Sequence, residues 1–284
     1  MPSLSDHPAR TIVKLLAFGE SKTGKTGSLV SLVAADYKLF ILDFDNLLGI
    51  LRRQVQSRCP SKLENVHFIS LIDEYKVGMK GTTYAGRPTA YLESLRLLNQ
   101  WKDGDEDFGD PSGWPEDHIL VIDSLSRWCD ACYNLHDQAT PRTGKSGNEF
   151  DGRASYFSAQ EDMEKQLATL TSTNFPTNVI VIGHGVYTKL DDGTTRILPQ
   201  GIGAKLSPKI PLYFPNVVYY TNKNDKRTIQ LESNRMVNLA NDASLSGDLP
   251  IETGLATIFA ALRGQPSEVP AKPASRMTLR KVPA

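Results

Sequence analysis

One eight-residue segment near the N-terminus constrains this chain more than any other feature. It reads Gly19-Glu20-Ser21-Lys22-Thr23-Gly24-Lys25-Thr26 and matches the pattern G-x-x-x-x-G-K-[ST] at every fixed position. An apolar run at 12–18 precedes it, and a helical pattern at 24–35 follows it. A strand, a tight turn and a helix in this order let backbone N–H groups and a helix N-terminus point at a phosphate.

The segment predicts a nucleotide site in which each residue type has a task. Lys25 supplies a positive charge for the β- and γ-phosphates, and the Thr26 hydroxyl can ligate Mg²⁺. The predicted contacts to the nucleotide are Gly19, Glu20, Ser21, Lys22, Thr23, Gly24, Lys25, Thr26 and Gly27. We therefore expect ATP and Mg²⁺ as the cofactors.

Short apolar runs alternate with helical patterns along most of the chain. Further runs that predict strands lie at 38–43, 66–71, 118–123 and 178–183, and helical patterns lie at 87–101 and 152–171. Pro88 suits the first turn of the earlier helix. The alternation predicts an α/β fold with a mostly parallel central sheet and helices on both faces. Two short runs at 217–220 and 227–231 flank a polar turn and predict a C-terminal antiparallel hairpin.

Charge and composition bound the domain organisation and the function. The 284 residues include 32 Lys and Arg against 32 Asp and Glu, which excludes a uniformly basic coat for nucleic acid. Residues 103–117 hold seven acidic and no basic residues, so the surface is predicted to be polarised. Residues 1–10 and the Pro-rich basic segment 265–284 are predicted to be flexible, which leaves one domain at 11–264.

The location expected from sequence is the cytoplasm. No apolar run reaches the ~20 residues of a membrane span, and no secretory signal is visible. Three cysteines are too few for a disulfide framework.

Polar residues end three of the predicted strands. Asp123 is expected to hold Mg²⁺ together with Thr26, with a helix N-cap as the alternative role. Either Asp43 or Asp45 can serve as the general base for an attacking water, and turn chemistry is the alternative for each. His184 follows another strand and can reach a γ-phosphate. Because parallel strands place their carboxyl ends at one edge of the sheet, these side chains are expected beside the phosphate loop.

These elements, in this order, resemble the RecA-like recombinase ATPases. GESKTGKT is similar to the recombinase phosphate loop, and ILVIDSLSRW resembles the Walker B strand. FILDFDNLL looks like the strand ending in Asp-x-Glu, with Asp45 at the position of the Glu that activates water. VIVIGHGVYTK resembles the strand ending in Asn-Gln, with His184 at the Gln position of the nucleotide sensor. The closer resemblance is to short phage-encoded members, described as phage nucleotide-binding or RecA-like single-strand-annealing ATPases.

The resemblance implies a slow, DNA-linked ATP hydrolase that binds single-stranded DNA in recombination, annealing or replication of a phage genome. It implies a homo-oligomer, either ring or filament, in the host cytoplasm. A single-strand-binding protein or another replication or recombination factor is a further implied partner. Two alternatives share the phosphate loop: a small-molecule or nucleotide kinase, and a non-catalytic assembly or loader protein switched by ATP.

Three segments lean basic and are candidates to line a DNA channel, at 140–153, 186–209 and in the C-terminal tail. The candidate DNA-binding residues are Arg142, Lys145, Arg153, Lys189, Lys205 and Lys209. Clustered Lys and Arg neutralise phosphates, although solvated loops carry such residues too. Lys205 and Lys209 are also candidates to contribute to a neighbouring subunit's site.

A second group of residues, Cys129-x-x-Cys132 with His136, has side chains that could bind zinc. We favour buried thiols on a core helix, because no convincing fourth ligand lies near in the sequence. The three tryptophans Trp101, Trp114 and Trp128 are interpreted as packing residues.

Overall fold

The computed structural model describes residues 12–79, 81–139, 153–190 and 192–264. The strands are β1 (Lys14–Gly19), β2 (Lys38–Asp43), β3 (Val66–Ser70), β4 (Tyr75–Gly78), β5 (Gly81–Tyr84), β6 (Lys102–Asp103), β7 (Glu106–Asp107), β8 (His118–Asp123), β9 (Asn178–Lys189), β10 (Thr195–Pro199), β11 (Asn216–Lys223), β12 (Lys226–Gln230) and β13 (Leu249–Pro250). The α-helices are α1 (Lys25–Ser28), α2 (Val30–Ala34), α3 (Gly49–Arg58), α4 (Ala90–Asn99), α5 (Leu125–Ala139), α6 (Arg153–Thr171), α7 (Gly203–Leu206) and α8 (Gly254–Leu262). Short 3₁₀ helices lie at Pro60–Asn65, Pro111–Gly113 and Ile210–Tyr213.

The central sheet has the strand order β13-β12-β11-β1-β9-β8-β2-β3. The strands from β11 to β3 in this order are parallel, whereas β12 and β13 add antiparallel pairs at one edge. The predicted α/β fold with a mostly parallel sheet is therefore confirmed, as is the C-terminal hairpin, which joins that same sheet. β1 lies between β9 and β11, so the loop that follows it emerges from the middle of the sheet.

Helices cover both faces of the sheet, which explains why its strands are apolar without alternation. In β1, Leu16 and Phe18 pack toward one core that also contains Trp128 of α5. Leu15 and Ala17 pack toward a second core, formed with α2, α3 and α8. Successive side chains of a strand point to opposite faces, so both sets are buried.

The helix predicted at 87–101 is shorter than expected. It begins at Ala90, and Pro88 lies before its first turn rather than within it. The start is fixed by Asp73, whose Oδ1 accepts hydrogen bonds from the N–H groups of Thr89 and Ala90 at 2.9 and 3.0 Å. A remote carboxylate thus caps this helix, and a local pattern cannot reveal such a partner.

Two predicted loops contain regular structure. Residues 103–117 include part of the β6–β7 hairpin and the 3₁₀ turn at Pro111–Gly113. The strand predicted at 178–183 continues to Lys189, because residues 185–189 pair with the antiparallel strand β10. The apolar run stops at Gly183, so a prediction from composition alone places the end of the strand too early.

The tryptophan prediction is confirmed, since Trp101, Trp114 and Trp128 are all buried. Helix α3 and the β4–β5 hairpin were not foreseen, because neither has a strong apolar period. Among the described helices, none has the length and apolarity needed to cross a membrane. Residues 1–11, 140–152 and 265–284 lie outside the described residues, so the predicted flexible ends and most of the first DNA segment are not addressed by the structure.

Candidate nucleotide site

The phosphate loop leaves β1 at Gly19 and enters α1 at Lys25. Two of its positions admit only glycine. A Cβ on Gly19 would lie 2.5 Å from the backbone oxygen of Tyr220. Gly24 has a φ of +96°, and a Cβ there would lie 2.8 Å from Ile251 Cδ1. The fold therefore needs these glycines to bring the loop close to its neighbours.

Lys25 places its ammonium inside this loop. Its Nζ donates hydrogen bonds to the backbone oxygens of Gly19 at 2.9 Å and Glu20 at 2.6 Å. Burial lowers the pKa of Lys25 to about 8, and the nearby carboxylates of Asp123, Asp45 and Glu20 oppose that shift. A partly desolvated cation beside a ring of backbone N–H groups is suited to a polyphosphate.

Thr26 and Asp123 meet at the base of the loop. The Thr26 hydroxyl donates a 2.6 Å hydrogen bond to Asp123 Oδ2. Asp123 is 2% exposed, and this burial, with the charges of Asp45 and Asp43, raises its pKa to about 7, against the effects of Thr26 and Lys25. A hydroxyl and a carboxylate are hard oxygen donors of the kind that Mg²⁺ prefers, so the residues present fit this ion.

Asp45 lies next to this pair and is held from two sides. Its Oδ1 accepts a 2.8 Å hydrogen bond from the Ser124 hydroxyl, and its Oδ2 lies 3.3 Å from His184 Nε2. Burial raises the pKa of Asp45, but the hydrogen bonds from His184 and Ser124 and the charge of Arg127 outweigh it and lower the pKa. The carboxylate is therefore ionised at neutral pH.

Asp43 has different surroundings. Its Oδ1 accepts a hydrogen bond from the Asn46 N–H at 2.8 Å, and the Ser70 hydroxyl lies 3.4 Å from its Oδ2. Burial raises the pKa of Asp43, although hydrogen bonds from the Asn46 and Leu47 backbone and from Ser70 oppose the shift. Its carboxylate stabilises the turn after β2, which is the alternative role foreseen for it.

The extended part of β9 touches the phosphate loop directly. The Tyr187 hydroxyl donates a 2.7 Å hydrogen bond to Glu20 Oε1. Three residues earlier on the same strand, the His184 N–H donates to Ser126 Oγ at 3.3 Å. The contacts of Tyr187, Ser124 and Ser126 at this site were not predicted from the sequence. They depend on a strand that extends past its apolar run and on hydroxyls at a strand–helix junction.

The described DNA candidates lie away from the loop itself. Arg153 begins α6, Lys189 ends β9, and Lys205 lies on α7, all three exposed. Lys209 Nζ forms a 2.6 Å ion pair with Glu164 of α6. The Lys209 charge is therefore paired with a carboxylate of the same chain. Arg142 and Lys145 lie outside the described residues.

A family model described as "AAA domain" matches residues 11–239. No functionally curated protein matches the sequence. A solved chain from work described as "Structural and biochemical analysis of a prototypical ATPase from the type III secretion system of pathogenic bacteria" matches at 10% identity and a TM-score of 0.37. That alignment covers 73% of this chain and 50% of the other, so the present chain spans half the length of that structure.

Proposed function

The chain belongs to the AAA domain family of P-loop ATPases, and from this premise we propose that it couples slow ATP hydrolysis to binding of single-stranded DNA. The observation that carries the proposal is the course of β9. This one strand holds His184 against Asp45 and Tyr187 against Glu20, and it ends at the exposed Lys189. A change at the nucleotide can therefore reach the β9–β10 hairpin, where Lys189 is exposed, without leaving the strand.

The chemistry follows from the charges and hydrogen bonds at the loop. Lys25 and the loop N–H groups bind the β- and γ-phosphates. Thr26 and Asp123 hold Mg²⁺, which when bound neutralises charge on the phosphates. Asp45, ionised and adjacent, orients the attacking water and accepts its proton. His184 keeps the Asp45 carboxylate in position and faces the γ-phosphate.

The proposed hydrolysis is slow because the base is short and firmly held. Both oxygens of Asp45 are already engaged, by Ser124 and by His184. An aspartate carboxylate also reaches one methylene less far than the glutamate found at this position in the recombinases it resembles. The Asp45 carboxylate therefore cannot shift toward the attacking water, so fewer arrangements of the water and the base are productive.

DNA binding rests on a weak basic strip that is repeated in an assembly. Lys189 at the end of β9, Lys205 on α7 and Arg153 at the start of α6 are all exposed. A few cations on one subunit give low affinity, but a ring or filament multiplies it through avidity. The resemblance to short phage-encoded ATPases supports a role in annealing or recombination of a phage genome, with other replication or recombination proteins as partners.

The test measures phosphate release with and without single-stranded DNA, for the wild type and Lys25→Ala. We expect slow release that DNA stimulates, and none from Lys25→Ala. The double charge reversal Lys145→Glu and Arg153→Glu should weaken DNA binding and flatten its salt dependence, whereas Arg235→Glu serves as a control. An ATPase that neither binds DNA nor responds to it would contradict the proposal. Phosphate transfer to a nucleoside would establish the kinase instead, and binding without turnover would establish the loader.

A further inference from the structure

Helices α5 and α6 bring together three side chains that the nucleotide site does not use. They are Cys132 and His136 of α5 and Asp162 of α6, and their ligand atoms all lie within 4.8 Å of one another. His136 Nε2 is 3.1 Å from Asp162 Oδ2. The sequence offered Cys129, Cys132 and His136 and no fourth ligand, since Asp162 is distant in the chain. The structure replaces Cys129 with Asp162 as a neighbour of Cys132 and His136.

The geometry is close to that of a four-coordinate metal site. Cys132 and His136 are four residues apart and so lie on one face of α5, opposite Asp162. Zinc binds sulfur at roughly 2.3 Å and nitrogen or oxygen at about 2.0–2.2 Å, so its tetrahedral ligand atoms stand roughly 3.3–3.8 Å apart. Side-chain adjustments of about 1 Å would bring this set to that spacing.

A fourth polar group is aimed at the same place. The Tyr91 side chain is 1% exposed, and its hydroxyl lies close to Cys132 and Asp162 but makes no hydrogen bond of good geometry among the described residues. Burial raises the pKa of Tyr91, and Cys132 and Asp162 raise it further because they lie beside it. A buried hydroxyl without a partner is uncommon. It can be satisfied by a metal-bound thiolate or by a water in the fourth coordination position.

The exposure of the side chains and the chemistry of their donor atoms indicate which class of metal ion the site would bind. Cys132 is fully buried, whereas the His136 and Asp162 side chains are 27% and 28% exposed, so an ion can reach the site from solvent. A thiolate, an imidazole and one carboxylate favour zinc-like transition metals, whereas Mg²⁺ and Ca²⁺ prefer oxygen donors alone. Cys129, although nearby in sequence, is absent from the ligand cluster.

We propose that Cys132, His136 and Asp162 form a binding site for a zinc-class transition-metal ion, with Tyr91 beside the fourth position. The ion would tie α5 to α6, the two helices that lead into and out of residues 140–152. It would act as a structural link in that part of the chain and would be separate from the oxygen-only Mg²⁺ site at Thr26 and Asp123.

Metal content tests the proposal without reference to catalysis. The full-length protein is incubated with Zn²⁺, passed through gel filtration and analysed for zinc, and Co²⁺ is bound in parallel to detect thiolate charge-transfer absorption. We expect one zinc per chain and a thiolate band for the wild type. Cys132→Ser and Asp162→Asn should each lower zinc affinity by at least about tenfold, as loss of a contributor to a metal site does.

Two controls and one substitute variant make the outcome decisive. Cys129→Ser removes a neighbouring buried thiol and should keep the zinc, and Thr26→Ala should keep it although the nucleotide site is damaged. If Cys132→Ser does not fold, His136→Ala at a partly exposed position replaces it. Absence of retained zinc in the wild type, a Co²⁺ complex without a thiolate band, or equal affinity in the ligand variants would overturn the proposal. None of these results depends on ATP hydrolysis or DNA.

Discussion

Asp45 Oδ2 lies 3.3 Å from His184 Nε2, although the two residues are 139 positions apart in the chain. Asp45 follows β2, and His184 lies in β9. These two strands are the neighbours of β8 in the sheet. Ser124, just after β8, donates to the other oxygen of Asp45. Residues just after β2 and β8 and within β9 thus hold one carboxylate beside the phosphate loop, and the parallel order of these strands makes this possible.

The titration of Asp123 predicts a pH dependence of stability. Burial raises its pKa from 3.8 in model compounds to about 7. Between these values the folded chain keeps a proton that the unfolded chain releases, so this group's contribution to stability falls as pH rises. The free energy of unfolding of Asp123→Asn, relative to that of the wild type, should therefore increase between pH 5 and pH 7, by a few kcal/mol at most. Urea unfolding at several pH values in the absence of Mg²⁺ measures this, and parallel curves would refute the assignment.

The ammonium of Lys25 predicts a specific loss of nucleotide affinity. Its two hydrogen bonds to the Gly19 and Glu20 oxygens place it inside the loop. Lys25→Ala should weaken ATP binding by at least about tenfold, or ~1.4 kcal/mol. Lys76→Ala is the matched control, since Lys76 is an exposed lysine on β4, outside the phosphate loop. Calorimetric titration with ATP should distinguish the two variants, and equal affinities would argue against the role of Lys25.

The close packing at Gly24 predicts that a single methyl group disables the loop. Gly24→Ala places a Cβ 2.8 Å from Ile251 Cδ1 at a φ of +96°. We expect it to lose ATP binding and about 1–3 kcal/mol of stability. Gly49→Ala, at the start of α3 with no atom within 4 Å of the new Cβ, should be neutral or slightly stabilising. Thermal unfolding and ATP titration of both variants check this, and a neutral Gly24→Ala would contradict it.

The Glu20–Tyr187 hydrogen bond predicts how nucleotide state reaches the β9–β10 hairpin. Tyr187→Phe removes the hydroxyl that donates to Glu20 at 2.7 Å while keeping the ring. ATP affinity should change little, but the ratio of DNA affinities with and without ATP should fall by about twofold to tenfold, the range of one exposed hydrogen bond. Tyr84→Phe on the β4–β5 hairpin is the control. Unchanged ATP dependence in Tyr187→Phe would remove this contact from the coupling.

The parts of the fold and site that the sequence predicted are those specified by local pattern. The phosphate loop, the apolar strands and the acids at their ends are all short-range features, and parallel topology then brings Asp123, Asp45 and His184 together. The alternative between Asp43 and Asp45 was open in the sequence, because both follow the same strand. Only the partners in space separate them, since Asn46 and Ser70 engage Asp43 whereas Ser124 and His184 engage Asp45.

What the sequence did not predict depends on long-range partners. Asp73 caps α4 from outside the helix, which moved its start past Pro88. β9 extends beyond its apolar run because β10 pairs with it, so Tyr187 reaches Glu20. Asp162 completes the cluster with Cys132 and His136 from another helix. In each case the deciding interaction joins residues that no local period connects.

Phosphate release by Asp45→Asn under saturating ATP and Mg²⁺ tests whether Asp45 is the general base of hydrolysis. Asp43→Asn is the control, because an amide oxygen can still accept the Asn46 N–H. We expect Asp45→Asn to bind ATP normally and to lose turnover by about 10²–10⁴-fold, the contribution of a general base, while Asp43→Asn stays active. Turnover retained by Asp45→Asn, or lost only in Asp43→Asn, would show that Asp45 is not the base.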